Sequence, residues 1–218
     1  PSIEDSETKK LTFPPKILFA GDSLMQGVAP LTIMELKKLF PTGKYVDLSQ
    51  QSTGLTARRY FDWPKKIEEE SLREGFNTVV ILLGANDPWD IYEGKQHYVF
   101  PSDAWREIYR KRVIEVLEFA KEHRIHIIWI GLPNMDVERV RTGAMIQNEI
   151  FSEEMKNYHF DYIDTSDFLG SFDEPFKKYI TDTEKGSVLI RGNDGVHFTV
   201  YGYRLISQHI IQRLRDKY

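Results

Sequence analysis

The chain has 218 residues, enough for one sizeable domain with its own core and too few for two ordinary ones. Hydrophobic residues at 41% and charged residues at 28% exclude a disordered or fibrous chain, and a net charge of -4 offers no basic field to nucleic acid or an anionic membrane. The absence of cysteine excludes disulfides, thiolate metal sites and a cysteine nucleophile, and no apolar run nears the roughly 20 residues that span a bilayer.

In chain order, residues 1–15 are polar, end in Pro14-Pro15 and carry no apolar period, which predicts a flexible arm ahead of a single domain over residues 16–218. The start at Pro1, without methionine, suggests a trimmed or a processed chain, from which a signal peptide or anchor could have been removed. Short apolar runs at Ile17 to Ala20, Tyr45 to Leu48, Thr78 to Leu83, Ile125 to Ile130 and Tyr162 to Asp164 predict five strands. Between them lie helical patterns from Pro30 to Phe40, from Pro64 to Glu74 with Gly75 after it, from Val137 to Tyr158, and from Thr199 to the end. The clearest helix places Trp105, Ile108, Tyr109, Val113, Val116, Leu117 and Ala120 at three- and four-residue steps behind Ser102, a good N-cap. Continuous apolar strands separated by helices predict an α/β fold, a three-layer α/β/α sandwich around a mainly parallel five-stranded sheet. Residues 168–193 break this rhythm, and Tyr179 to Thr181 with Ser187 to Arg191 predict a small hairpin.

Open parallel sheets place their sites at the carboxyl ends of the strands, so the loops there are read first. Gly21-Asp22-Ser23-Leu24 directly follows the first strand, where a serine can face that edge; a capped helix start explains the same letters. Gly84-Ala85-Asn86-Asp87 follows the third strand, where the Asn86 side chain can donate to an anionic oxygen; a plain turn is the alternative. Asp194-Gly195-Val196-His197 precedes the last helix, and a carboxylate three residues before a histidine can accept from Nδ1–H and leave Nε2 free to take a serine proton. Nucleophile, oxyanion donor and base therefore all fall on loops at one edge of the sheet.

Taken in order, Gly21-Asp22-Ser23, Gly54, Gly84-Ala85-Asn86-Asp87 and Asp194-Gly195-Val196-His197 resemble the four blocks of the SGNH (GDSL-like) hydrolases, over a span from Ile17 to the end. The resemblance implies a flavodoxin-like sheet and a Ser23, His197, Asp194 triad. It also implies an oxyanion hole from the Ser23 amide, the Gly54 amide and the Asn86 side chain, and no metal or organic cofactor. Ser52-Thr53-Gly54-Leu55, Tyr60-Phe61-Asp62-Trp63-Pro64, Gly131-Leu132-Pro133 and His197-Phe198-Thr199 are similar to a poorly characterised bacterial SGNH subfamily that is usually placed in the periplasm.

These readings lead to a serine esterase acting on a small ester or an O-acetylated cell-envelope carbohydrate, with no nucleic-acid partner and no integral membrane segment. An O-acyltransferase with the same triad and a noncatalytic carbohydrate-binding module are the alternatives. Trp63, Trp89, Tyr92, Tyr98 and Trp105 are candidate sugar platforms, and Trp89, two residues beyond the Asn86-Asp87 turn, is the one assigned to substrate; core packing explains the others equally well. Arg58-Arg59 reads as a solvated pair that can meet an anionic group, and the remaining histidines have no metal-ligand spacing.

Overall fold

The computed structural model describes residues 10–218. In chain order the elements are β1 (Lys16–Gly21), α1 (Ser23–Leu39), β2 (Lys44–Asp47), α2 (Trp63–Glu74), β3 (Thr78–Leu82), β4 (Ile91–Glu93), β5 (Gln96–Tyr98), α3 (Asp103–Glu122), β6 (His126–Ile130), α4 (Glu138–Tyr158), β7 (Asp161–Ile163), α5 (Ser166–Leu169), β8 (Tyr179–Asp182), β9 (Gly186–Leu189) and α6 (Val200–Lys217). Five strands form one parallel sheet in the order β2-β1-β3-β6-β7. Helix α1 packs on α6, while α2 packs on α3 and α3 on α4, which makes the two outer layers. This is the α/β/α sandwich the apolar runs predict.

The central strands are buried on both faces because their sequences are apolar without alternation: Ile17 to Ala20 and Val79 to Leu82 have no solvent exposure at all. Each such Ile, Leu or Val side chain contributes about 1.5–3 kcal/mol of transfer free energy, so the middle of the sheet is a main source of the fold's stability. Strand β2 lies at an edge and is only half buried. The chain order reverses between β1 and β3, and the crevice that a doubly wound sheet opens at such a point lies beyond Gly21 and Leu82. Gly21 permits the two strands to approach there, since a Cβ on it would sit 2.0 Å from the Leu82 carbonyl oxygen.

Several elements differ from the sequence reading. Helix α1 begins at Ser23 rather than Pro30, because Asp22 caps it by accepting from the Leu24 amide at 2.9 Å. Pro30 is tolerated inside the helix on its exposed side, near the likewise exposed Gln26 whose carbonyl loses its i+4 donor to the proline ring. The β4–β5 hairpin and the single turn α5 were not anticipated, since three- and four-residue elements are too short to express a period. Residues 1–9 of the predicted arm lie outside the described residues. Residues 10–15 are tied to the body instead of hanging free: the Leu11 amide donates to the Lys217 carbonyl at 2.8 Å, and Asn77 Nδ2 donates to the Thr12 carbonyl at 2.8 Å. Leu11 is an apolar residue that the polar composition of the segment concealed. Among the described residues, no helix is long and apolar enough to cross a membrane.

Candidate active site

Ser23 is the first residue of α1, so its amide is one of the donors that a helix leaves without an intrahelical acceptor. Asp22 before it is completely buried. Its Oδ1 accepts from Leu24 and its Oδ2 from the Gly84 and Ala85 amides at 3.1 and 3.2 Å, which fastens the end of β1 to the loop after β3. Burial pushes the Asp22 carboxyl up to about 6, with the charge of Asp87 adding to it, against the lowering effect of the three amides.

The loop after β2 runs on along β1, with the Gln50 amide donating to the Gly21 carbonyl at 2.8 Å, and this carries Thr53 and Gly54 to the same edge. Asp87, also without exposure, holds that loop: its carboxylate accepts from the Leu55 amide at 2.9 Å and from the Thr56 amide and hydroxyl at 2.8 Å each. Burial raises the Asp87 carboxyl despite these donors. Tyr109 OH lies 2.8 Å from both Asp87 Oδ2 and Gln147 Oε1, which anchors the carboxylate to α3 and α4. Gly54 has no room for a side chain, because a Cβ there would meet Asp87 Oδ1 at 2.1 Å. Asn86 Nδ2 donates to the Thr53 carbonyl at 3.0 Å; that bond orients the amide and leaves its second N–H for another acceptor.

The histidine arrives from the opposite end of the chain. His197 Nε2 lies 2.7 Å from Ser23 Oγ, and His197 Nδ1 lies 2.5 Å from Asp194 Oδ2. Asp194 Oδ1 accepts from the Val196 and His197 amides at 3.0 and 2.9 Å, so the turn closes on its own carboxylate. Partial burial opposes the charge on Asp194, but the His197 ring and those two amides outweigh it and bring the carboxyl to about 2. The loop is pinched at its base by the Gly192 amide, which donates to the His197 carbonyl at 2.7 Å. Arg191 braces it from beneath: its guanidinium lies 3.9 Å from the Phe198 ring centroid and donates to the Val196 carbonyl at 2.9 Å and to the Asn134 carbonyl.

The structure thus brings Ser23, Gly54, Asn86, Asp194 and His197 to one edge: single hydrogen bonds join Ser23, His197 and Asp194, and Asn86 is bonded to Thr53, the neighbour of Gly54. The candidate platforms separate. Trp63 and Trp105 are fully buried, with their indole N–H groups donating to Thr53 Oγ1 and the Trp89 carbonyl at 2.9 and 2.8 Å. Tyr98 is half buried, whereas Trp89 and Tyr92 are exposed. Sequence reading gave no role to Asp22, Asp87, Tyr109 or Arg191. The first two stood inside quoted motifs, and the sign for the last was an arginine at the end of an otherwise apolar run, Val188 to Ile190. Among the described residues, no cluster of three or more His, Asp or Glu side chains has the geometry to hold a metal.

Solved structures share this architecture. An acetylxylan esterase from Geobacillus stearothermophilus is 15% identical, with 94% of this chain and 96% of that chain covered and a TM-score of 0.64. A psychrotrophic esterase from Pseudoalteromonas sp. is 13% identical over 92% and 96% of the two chains, with a TM-score of 0.60. A GDSL-like lipase from Bacteroides thetaiotaomicron is 16% identical over 92% and 87%, also with a TM-score of 0.60. At these identities the likeness is one of fold, the SGNH hydrolase fold that the four sequence blocks resemble. Among curated proteins none matches the sequence. Residues 16–213 match a family described as a protein of unknown function, DUF459, and the chain belongs to that family.

Proposed function

We propose that this protein is a serine esterase that cleaves O-acyl, and in particular O-acetyl, esters of a carbohydrate. The observation that carries the reading is the linear relay from Ser23 Oγ through the His197 ring to Asp194, at 2.7 and 2.5 Å. Ser23 Oγ attacks the ester carbonyl carbon while His197 Nε2 takes its proton. Asp194 holds the ring in the tautomer that leaves Nε2 free and stabilises the imidazolium. The negative charge on the former carbonyl oxygen is met by the Ser23 and Gly54 amides and by the free N–H of Asn86. Collapse expels the alcohol, protonated by His197, and leaves an acyl-serine. Water, deprotonated by the same nitrogen, then attacks that ester and releases the carboxylic acid.

The acetylxylan esterase of the same fold supports an O-acetylated sugar as substrate, and the exposed Trp89 supplies the flat surface such a ring stacks on. The sequence resemblance to an extracytoplasmic subfamily supports placing that sugar in the cell envelope. The test is hydrolysis of p-nitrophenyl acetate, butyrate and octanoate, with and without an oligosaccharide acceptor, by wild type and Ser23→Ala. Acetate-selective turnover that disappears in the variant is the expected result. Turnover retained by Ser23→Ala overturns the assignment, and acetyl transfer to the oligosaccharide in preference to water replaces the esterase with an acyltransferase.

A further inference from the structure

At Asn86 lies an open groove of about 500 Å³, walled by Arg58, Arg59, Tyr60, Asn86, Trp89 and Tyr92. Asn86 is common to the groove and the site, so the groove adjoins the proposed oxyanion donor. Three of the walls are aromatic rings held in water: Tyr60 is 68%, Trp89 59% and Tyr92 61% exposed. Such exposure is costly for large apolar surfaces, and here they gather around one concavity.

Trp89 is also built to stay where it is. Its carbonyl accepts from the buried Trp105 indole, and the Arg139 guanidinium stacks 4.4 Å from its ring centroid while Arg139 Nε donates to the neighbouring Pro88 carbonyl. One face of the indole is thus backed by a cation that is itself hydrogen-bonded. Tyr92 is similarly backed by His97, its ring stacked at 4.5 Å and within 3° of parallel. Rings fixed in advance lose little conformational entropy when a flat ligand stacks on them.

The charged residues of the groove sort by what already occupies them. Arg58 is consumed by a bidentate pair with Glu115 at 2.6 and 2.7 Å and by Asp62 at 2.9 Å. The Asp90 carboxylate is consumed by the Phe100 amide at 2.9 Å and His97 at 2.8 Å. Arg59 has no hydrogen-bond or ion-pair partner among the described residues and is exposed on the groove wall. Three aromatic rings, the spare N–H of Asn86 and one uncommitted guanidinium are therefore what the groove has left to offer a ligand.

We infer that this groove is the subsite for the alcohol half of the ester, and that the alcohol is a sugar carrying an oxyanion, a carboxylate or a phosphate, which Arg59 engages while the ring stacks on Trp89. The inference rests on the esterase reading for the words "alcohol half" but not for the binding itself. A guanidinium fork matches either oxyanion in a bidentate manner, and a charge-assisted bond of that kind accounts for about a tenfold gain in affinity over a neutral ring.

The experiment titrates the nonturnover Ser23→Ala protein, by calorimetry, with trigalacturonate, with a phosphorylated maltotriose and with neutral xylotriose. At least one anionic sugar is expected to bind about tenfold tighter than the neutral one, and the two anionic arms tell carboxylate from phosphate. Adding Arg59→Gln is expected to erase that preference while leaving neutral binding in place, and adding Trp89→Ala to weaken all three sugars. Circular dichroism of each variant keeps misfolding from passing as lost affinity. Equal binding of neutral and anionic sugars, a preference that survives Arg59→Gln, or no saccharide binding at all overturns the inference. Because these titrations need no turnover, they stand whether or not wild type hydrolyses p-nitrophenyl acetate, and failure of that assay counts against the esterase reading alone.

Discussion

Ser23, Gly54 and Asn86 hang from two carboxylates with no solvent exposure, whereas Asp194 and His197 keep 52% and 41% of their side chains in water. On the serine side, position is set by long-range bonds: Asp22 spans to residues 84 and 85, and Asp87 reaches back to residues 55 and 56. On the histidine side it is set mostly within a few residues, by a carboxylate that closes its own turn and a backbone pinch from Gly192 to His197, with two longer ties, from Arg191 to the Asn134 carbonyl and from the Asp136 amide to the Gly195 carbonyl. The difference teaches that one site can be half core and half loop. Damage to the first half reaches the fold, while damage to the second stays in the chemistry.

The largest effect that tests this contrast is Asp194→Asn. The amide favours the wrong histidine tautomer, so kcat for an activated ester falls by about 10⁴-fold. The loop is exposed, so the free energy of unfolding at neutral pH changes by about 1 kcal/mol or less. A large stability loss, read by urea denaturation, would break the contrast from the histidine side.

Asp87→Asn and Gly54→Ala come next. The first turns acceptors toward the Leu55 and Thr56 amides into a mixed donor and acceptor, and the second places a methyl group 2.1 Å from Asp87 Oδ1. Both are expected to lower kcat by about 10²–10³-fold with a smaller change in KM. Asp87→Asn is expected also to cost about 2–4 kcal/mol of stability by leaving buried amides without acceptors. If Asp87→Asn loses rate and keeps its urea midpoint, the serine side is no more rooted in the core than the histidine side.

The smallest effect is the most discriminating, because the two sides carry pH linkage of opposite sign. Asp22 titrates near 6 in the folded chain and near 3.8 when unfolded, so the native state holds its proton more tightly. Its contribution is therefore most favourable in acid and declines by an amount on the order of 3 kcal/mol as pH rises from about 4 to about 6. Asp194, near 2 when folded, contributes stability that is present above 3.8 and lost as pH falls toward 2. Urea unfolding between pH 2.5 and 7 reads both. The deficit of Asp194→Asn should vanish toward low pH, and that of Asp22→Asn should shrink toward neutral pH. Parallel trends would show that the two carboxylates share one environment.

Legibility in the sequence followed the same division. The strands were readable because Val79 to Leu83 and Ile127 to Ile130 are apolar without alternation, the pattern of a strand covered on both faces. The histidine turn was readable because Asp194 and His197 are three residues apart and interact locally. What holds the serine side was not readable, because the long-range partners of Asp22 and Asp87 are backbone amides 31 to 63 residues away in sequence, which no letter announces. The start of α1 was misplaced for a related reason: Pro30 is a strong local cue for a first turn, and the capped start at Asp22, which the same letters allowed, overrides it. Trp89 was singled out by its place just beyond the Asn86-Asp87 turn, and Trp105 already lay on the apolar face of its helix; the burial of Trp63 and the exposure of Trp89 are what the structure adds.

The clasp between residues 10–15 and the end of α6 has a consequence for how the molecule can be held. Leu11 bonds to Lys217, Thr12 to Asn77, and the Tyr218 hydroxyl lies 2.6 Å from Thr78 Oγ1, so both ends of the described chain meet where the strands begin. The crevice of the sheet lies at the other edge, about 17 Å away along five residues of strand. A tether joined at Tyr218 would leave from the base of the sheet, away from the crevice. Protein fixed to a bead or a bilayer through that end would therefore keep its cleft open to a polymer too large to diffuse around it.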